Sequence, residues 1–167
     1  SLEAGLQDIG LHNKVNTCCA SMTDLPFEPA SFDLIWAESS AYVMGVYQAL
    51  LSWKPLLSEG GVLVFSDLVL LNDNPNEEVK AFWEKEYPDI QTVEYRLVQI
   101  KKAGYEVVSS FTFEQASWEN YYLPLKARVE ELKPEMQGSA ALTDIENEVN
   151  FYFKHKAEFG YQMFVIK

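Results

Sequence analysis

Polar and acidic residues follow two short apolar segments of the chain, where they could contact a ligand. Ser21 and Met22 come directly after residues 15–20. Glu38 follows residues 32–37. Because ligands of open α/β sheets bind beyond the carboxyl ends of the strands, we expect both loops at the same end of a sheet. A carboxylate at Glu38 could orient a substrate, and the alternative is an acid that caps the next helix or faces solvent.

Aromatic residues accompany these loops and recur later in the chain. Tyr42 is interpreted either as a substrate-facing residue or as a partly buried aromatic at the end of the sheet. Trp36 lies inside an apolar segment and is predicted to be a core residue. Trp118, Tyr121 and Tyr122 could cover an acceptor pocket, and the alternative is ordinary helix packing.

Apolar periodicity predicts βα units around a parallel sheet, because short apolar runs alternate with longer amphipathic segments. The predicted strands are residues 15–20, 32–37, 62–65, 105–113 and 160–166. The predicted helices are residues 2–10, 46–57, 77–87, 91–103, 117–133 and 139–157. The last two helices predict a helical insertion over approximately residues 114–158 within one domain, residues 1–167. Asp67, which follows residues 62–65, is interpreted as capping a loop, and the alternative is a residue that lines the rim of the sheet.

Composition narrows the range of partners. The chain has 167 residues, 48% of them hydrophobic, and a formal net charge of −12. This acidity argues against nucleic acid as the main partner and, more weakly, against anionic membranes. The sequence has no membrane-spanning apolar run and does not start like a signal peptide, so we predict no membrane association. Cys18 and Cys19 are adjacent and rarely pair in such an arrangement, so we predict no disulfide and a reduced, cytoplasmic location. They are interpreted as buried thiols in a strand, and no metal site is expected.

Three segments, in order, resemble motifs of class I S-adenosylmethionine-dependent methyltransferases. They read A-S-M-T-D-L-P-F at 20–27, S-F-D-L-I-W-A-E at 31–38 and L-L-S-E-G-G-V-L-V-F-S-D at 56–67. The first is similar to the adenine-binding stretch of that family, the second to the fourth strand and its exit, and the third to the turn into the fifth strand. The resemblance covers nearly all of the chain. It implies a Rossmann-like sheet in which residues 105–113 and 160–166 form a terminal antiparallel pair.

The same resemblance implies a cofactor and a reaction. The cofactor would be S-adenosyl-L-methionine, bound by Ser21, Met22, Ala37 and Glu38, and the methyl acceptor a small molecule. Ser21 stands in place of the usual acid, although its oxygen can still accept a hydrogen bond from the adenine amino group. Glu38 and Tyr42 are the candidate catalytic residues, because such transfer depends mostly on the orientation of acceptor and cofactor.

The glycine-rich loop of this family, G-x-G-x-G, does not occur among the 8 glycines of the sequence. Residues 2–10 resemble the helix that follows the ribose-binding acid, so the sheet is expected to lack its first two strands. We therefore expect the isolated 167 residues to bind the cofactor weakly or not at all. The alternative function is a non-catalytic methyltransferase-like module for assembly or regulation. A glycine-rich motif encoded upstream would favour the enzyme.

An open sheet edge follows from the expected loss of two strands. In the family's strand order, 3-2-1-4-5-7-6, these two strands lie between residues 15–20 and residues 32–37. Another chain could supply the missing strands, the two segments could pair directly, or the chain could self-associate through the edge.

Overall fold

The computed structural model describes residues 2–167, which form six α-helices and a five-stranded sheet. The strands are β1 (Phe32–Ala37), β2 (Leu57–Leu70), β3 (Gln91–Thr92), β4 (Val107–Thr112) and β5 (Phe159–Ile166). The helices are α1 (Leu2–Asp8), α2 (Val46–Trp53), α3 (Glu77–Glu86), α4 (Val93–Lys102), α5 (Gln115–Leu132) and α6 (Ala140–His155). Short 3₁₀ helices occupy Ala41–Met44 and Lys54–Leu56. Across residues 2–167, no helix is both long enough and apolar enough to cross a membrane.

The sheet mixes parallel and antiparallel strands. Its order is β1-β2-β5-β4, and β3 pairs with the carboxyl end of β2. β1 and β2 are parallel, with Ala37 opposite Phe65. β5 is antiparallel to both β2 and β4. The predicted α/β architecture and its terminal antiparallel pair are therefore confirmed, and the two helices predicted within residues 114–158 lie between β4 and β5.

Two glycines allow β2 to pass close to β1. Gly60 has a φ of +78°, a conformation that side chains with a Cβ rarely adopt. A Cβ on Gly61 would lie 3.0 Å from the carbonyl oxygens of Phe32 and Ser58. The pair Gly60-Gly61 therefore sets the start of the apolar part of β2.

The prediction of a strand at residues 15–20 is wrong. These residues form no regular structure and all are exposed, including Cys18 and Cys19, which were expected to be buried. An extended segment becomes a strand only where a neighbouring strand receives its backbone hydrogen bonds, and none lies beside this one. Direct pairing of this segment with β1 is therefore also wrong, and the second edge of β1 has no strand partner within residues 2–167.

One core cluster fills the space between the sheet and helices α2 and α4. It includes Leu50, Phe65, Ile100 and Phe164, which are at most 1% exposed. Successive side chains of a strand point to opposite faces, so Trp36, next to the buried Ala37, points away from this cluster. Trp36 is 60% exposed, and its assignment to the core is wrong.

A second cluster is largely aromatic and joins α3, α5 and α6 to the carboxyl end of β2 and the start of β5. It is centred on Tyr87, Tyr122, Tyr152 and Phe159, each no more than 8% exposed. Tyr122 and Tyr152 stack with ring centroids 4.0 Å apart. This second cluster covers the end of the sheet at which a ligand was expected.

Candidate functional site

A cavity of about 630 Å³ lies at the carboxyl end of the sheet, and we call it the large cavity. The turn after β1, the last residues of β2, the residue after β4 and the start of β5 all contribute to its lining. Helices α3, α5 and α6 cover it. Its lining residues are Ser39, Tyr42, Asp67, Leu68, Trp83, Glu86, Tyr87, Phe113, Ser117, Trp118, Tyr121, Tyr122, Glu148 and Tyr161.

The turn after β1 is fixed by a buried serine. Ser39 has a φ of +47°, which is unusual for a residue other than glycine. Its backbone N–H donates to the Oγ of Ser66 at 3.0 Å, and Ser66 is only 1% exposed. This hydrogen bond holds the strained turn against β2, between the sheet and Tyr42.

Asp67, which lines the large cavity, belongs to a buried charged network. Its Oδ1 accepts a hydrogen bond from the Tyr87 hydroxyl at 2.9 Å, and its Oδ2 accepts one from Nε of Arg96 at 2.8 Å. Arg96 is 0% exposed and also donates to the Tyr87 oxygen at 2.8 Å. The interpretation of Asp67 as a loop cap is wrong, because β2 continues through it and Arg96 offsets its buried charge.

Burial sets the protonation preferences of this network. It raises the pKa of the Asp67 carboxyl, while Arg96 and the Tyr87 hydroxyl oppose that shift. Burial and the nearby Asp67 raise the pKa of Tyr87 well above its usual range. Tyr87 therefore stays protonated, receiving from Arg96 and donating to Asp67. Neither Tyr87 nor Arg96 carries a sequence signal that pointed to this role.

Stacked aromatic rings form the wall of the large cavity opposite β1. Trp118 stacks on Tyr161 at 4.8 Å and on Tyr122 at 6.0 Å between ring centroids. The Tyr122 hydroxyl donates to Oε1 of Glu148 at 3.0 Å. Trp118, Tyr121 and Tyr122 thus line a cavity, as the interpretation of a covered pocket required.

A second cavity of about 280 Å³, the small cavity, lies along β1, and residues from both faces of that strand line it. Met22 and Ala37, two of the predicted cofactor-binding residues, both line it. The rest of the lining is mostly apolar and is formed by Leu25, Phe27, Phe32, Leu34, Ile35, Trp36, Ser40, Trp53 and Leu56. The two residues were expected at the same end of the sheet, and both line this cavity although residues 15–20 form no strand.

Ser21 and Glu38 lie outside the linings of both cavities. Ser21 Oγ lies 2.8 Å from the Thr23 hydroxyl oxygen and accepts a hydrogen bond from the Thr23 N–H at 3.3 Å, within a local turn. Glu38 is exposed, and its Oε1 accepts a hydrogen bond from Trp36 Nε1 at 2.7 Å. Their roles stay predictions.

Tyr42 lines the large cavity and is 51% exposed. Its ring packs edge-on against Tyr87, with centroids 5.6 Å apart. The short segment after β1 therefore contacts both cavities: Ala37 and Ser40 line the small one, and Ser39 and Tyr42 line the large one.

Comparison with known proteins gives a family match and a shared fold. Residues 3–65 match the family model described as a methyltransferase domain. A putative sarcosine dimethylglycine methyltransferase from Galdieria sulphuraria is similar over 98% of this chain, with a TM-score of 0.77 and 14% identity. The [4+2]-cyclase SpnF is similar over 98% of this chain, with a TM-score of 0.70 and 21% identity. A methyltransferase from Thiobacillus denitrificans, solved with S-adenosyl-L-homocysteine, is similar over 99%, with a TM-score of 0.71 and 16% identity.

The matched structures are longer than this chain. It spans 63% of the Galdieria protein, 59% of the cyclase and 69% of the Thiobacillus protein. The shared fold and the family match over residues 3–65 confirm the resemblance that the three sequence motifs indicated. The chain has the Rossmann-like fold of class I S-adenosylmethionine-dependent methyltransferases, and its N-terminal part matches the methyltransferase-domain family.

Proposed function

We propose that the chain takes part in methyl transfer from S-adenosyl-L-methionine to a small molecule. The observation that carries the proposal is the turn after β1, which separates two cavities and contributes to both linings. Transfer between two bound molecules requires adjacent sites, because the reaction depends on holding the acceptor in line with the methyl group.

The small cavity would hold the adenine side of the cofactor. Its lining is mostly apolar, and the flat faces offered by Phe27 and Trp36 suit a planar heterocycle. Met22 and Ala37 would contact the ring, and Ser21, in the adjoining turn, would accept a hydrogen bond from it. When bound, the cofactor supplies an electrophilic methyl group on a sulfonium. Glu38 is assigned to this side, because its carboxylate already bonds Trp36 of the small cavity.

The large cavity would hold the acceptor. Its volume of about 630 Å³ is within the range of small-molecule pockets, about 300–1,000 Å³. Tyr42 would orient the acceptor, because it lines the large cavity from the same turn that borders the small one. Names of similar structures, such as geranyl diphosphate methyltransferase and the putative sarcosine dimethylglycine methyltransferase, also point to small acceptors.

A titration with S-adenosyl-L-homocysteine tests the assignment of the small cavity. Two of the 4 tryptophans, Trp36 and Trp53, line that cavity, so 5-fluorotryptophan labelling and ¹⁹F NMR give a local readout even for weak binding. We expect both resonances to shift.

Met22→Asp would place a carboxylate among apolar groups and weaken binding by about tenfold or more. The matched control is Met136→Asp, at an exposed site outside both linings, which should bind as the parent does. Equal binding by Met22→Asp and the parent would overturn the assignment.

A non-catalytic role is the second candidate, and two observations favour it. The [4+2]-cyclase has the same fold and is not named as a methyltransferase, so fold alone does not assign methyl transfer. The second edge of β1 has no strand partner within residues 2–167, which would suit assembly. Absence of any ¹⁹F shift with S-adenosyl-L-homocysteine, together with concentration-dependent assembly, would favour this role over the enzyme.

A further inference from the structure

We propose that the large cavity selects an acceptor that carries an ammonium group, so that the reaction is methylation of an amine nitrogen. This inference rests on the proposed function and specifies its substrate class. It is carried by three features of the lining: aromatic surface, carboxylates and the lack of a cationic side chain.

Aromatic rings dominate the lining. Eight of the lining residues are aromatic, namely Tyr42, Trp83, Tyr87, Phe113, Trp118, Tyr121, Tyr122 and Tyr161. The face of such a ring carries partial negative charge and attracts an ammonium within about 6 Å of its centroid. Several rings around one cavity are the arrangement with which proteins bind methylated ammonium groups.

The charges of the lining favour a cation as well. Asp67, Glu86 and Glu148 are its carboxylates, and no Lys, Arg or His of residues 2–167 lines the cavity. Asp67 is offset by Arg96, and Glu86 lies 2.7 Å from the exposed Lys85.

Glu148 is the carboxylate whose charge is left for a ligand. Among residues 2–167 its carboxylate accepts a hydrogen bond from the Tyr122 hydroxyl, a neutral donor at 3.0 Å, and forms no salt bridge. A phosphate or carboxylate on the acceptor would meet this charge without a compensating cation, whereas an ammonium would pair with it.

The same surroundings favour the transfer step. The amine first loses a proton to a cavity carboxylate or to water, and its lone pair then forms the bond to the methyl carbon. The carbon–sulfur bond breaks with its electron pair left on sulfur, so the positive charge moves from sulfur to nitrogen. Glu148 and the rings of Trp118 and Tyr122 line the cavity in which that charge would develop, and fixed groups of this kind lower the barrier.

Choline and its neutral carbon isostere, 3,3-dimethyl-1-butanol, test this inference without the cofactor. Trp83 and Trp118 line the large cavity and Trp36 and Trp53 the small one, so the four ¹⁹F resonances separate the two sites. We expect choline to shift the Trp83 and Trp118 resonances and to bind about tenfold more tightly than the isostere. Acetate, the anionic probe, should leave them unmoved.

Two substitutions locate the source of the selectivity. Glu148→Gln keeps the hydrogen-bond acceptor for Tyr122 and removes the charge, so it should reduce the choline-to-isostere ratio about threefold to tenfold. Glu135→Gln changes the net charge equally at an exposed site outside the cavity and should leave the ratio unchanged. Tyr121→Leu, at a residue that is 58% exposed, should also lower the ratio, and Tyr95→Leu, outside the cavity, should not.

The outcomes separate the two proposals. Equal binding of choline and the isostere, or an unchanged ratio in Glu148→Gln, would overturn the ammonium inference. If S-adenosyl-L-homocysteine still shifted Trp36 and Trp53, the proposed function would stand without it. If choline bound selectively while S-adenosyl-L-homocysteine shifted nothing, the cation site would stand and the proposed function would fall.

Discussion

The two sides of the turn after β1 are built differently. On the large-cavity side, stacked rings and a buried ion pair fix the lining, and Arg96, Tyr87 and Tyr122 are at most 8% exposed. On the small-cavity side, residues 11–20 are exposed and the second edge of β1 has no strand partner within residues 2–167. The candidate acceptor site is thus lined by side chains with buried partners, whereas the candidate cofactor site borders an exposed segment and a strand edge without a partner.

The largest expected effect comes from breaking the buried ion pair. Arg96→Met leaves Asp67 buried without its cation and should lower the free energy of unfolding by about 3–5 kcal/mol. The double variant Asp67→Leu/Arg96→Met should lose less than the sum of the single losses, because no lone charge remains. On the other side, Asp33→Asn removes the charge from an exposed contact in which the Ser58 hydroxyl donates to Asp33, and it should cost at most about 0.5 kcal/mol.

Urea unfolding followed by circular dichroism measures these differences. Equal losses for Arg96→Met and Asp33→Asn would contradict the contrast between the two sides.

A smaller loss is expected when one ring is removed from each side. Trp118→Ala deletes a half-buried ring that stacks on Tyr122 and Tyr161, and should cost about 3 kcal/mol of unfolding free energy. Trp36→Ala removes a ring that is 60% exposed, so its cost should stay within about 0.5 kcal/mol. Comparable losses would show that the face of β1 is covered in solution.

That last outcome bears on self-association, which we propose occurs through the open edge of β1. Leu34 and Trp36 are 51% and 60% exposed on that strand, and an exposed apolar edge strand is a template for pairing. Leu34→Lys should weaken association by about tenfold, measured by sedimentation velocity over a range of concentrations. Leu123→Lys, at a residue 53% exposed on α5, is the control and should associate as the parent does. A parent chain that stays monomeric throughout would refute the proposal.

The smallest effect concerns alkaline pH. Burial raises the pKa values of Tyr87, Tyr105 and Tyr122 in the folded chain, whereas in the unfolded chain they titrate near pH 10. The contribution of each is complete below the unfolded pKa and is lost as the pH rises through the folded pKa. The free energy of unfolding should therefore fall as the pH rises above about 10.

Absorbance at the tyrosinate band, recorded with unfolding curves, measures both quantities. Replacement of Tyr122 by Phe should reduce the slope with pH. An unchanged slope in that variant would contradict the assigned burial of its hydroxyl.

Apolar periodicity predicted the sheet and its helices because burial decides both. Three predictions agree with the structure. They concern the two terminal strands, the Gly60-Gly61 turn before the apolar part of β2, and the aromatic residues of α5 at a cavity. Arg96 was not predicted, because it looks like any basic residue of an amphipathic helix and its partner is 29 positions away. The predictions of a buried Trp36 and of a strand at residues 15–20 were wrong because apolar character shows only that a segment can be buried. Burial also requires a neighbouring element, and none covers these residues.

The central claim is that one turn separates a cofactor site from an acceptor site, and four tryptophans report on both. With S-adenosyl-L-homocysteine, ¹⁹F NMR should show shifts at Trp36 and Trp53, and with choline at Trp83 and Trp118. Adding both ligands should give both sets of shifts at once. If the two ligands shifted the same pair of resonances and competed for it, the division into two sites would be contradicted.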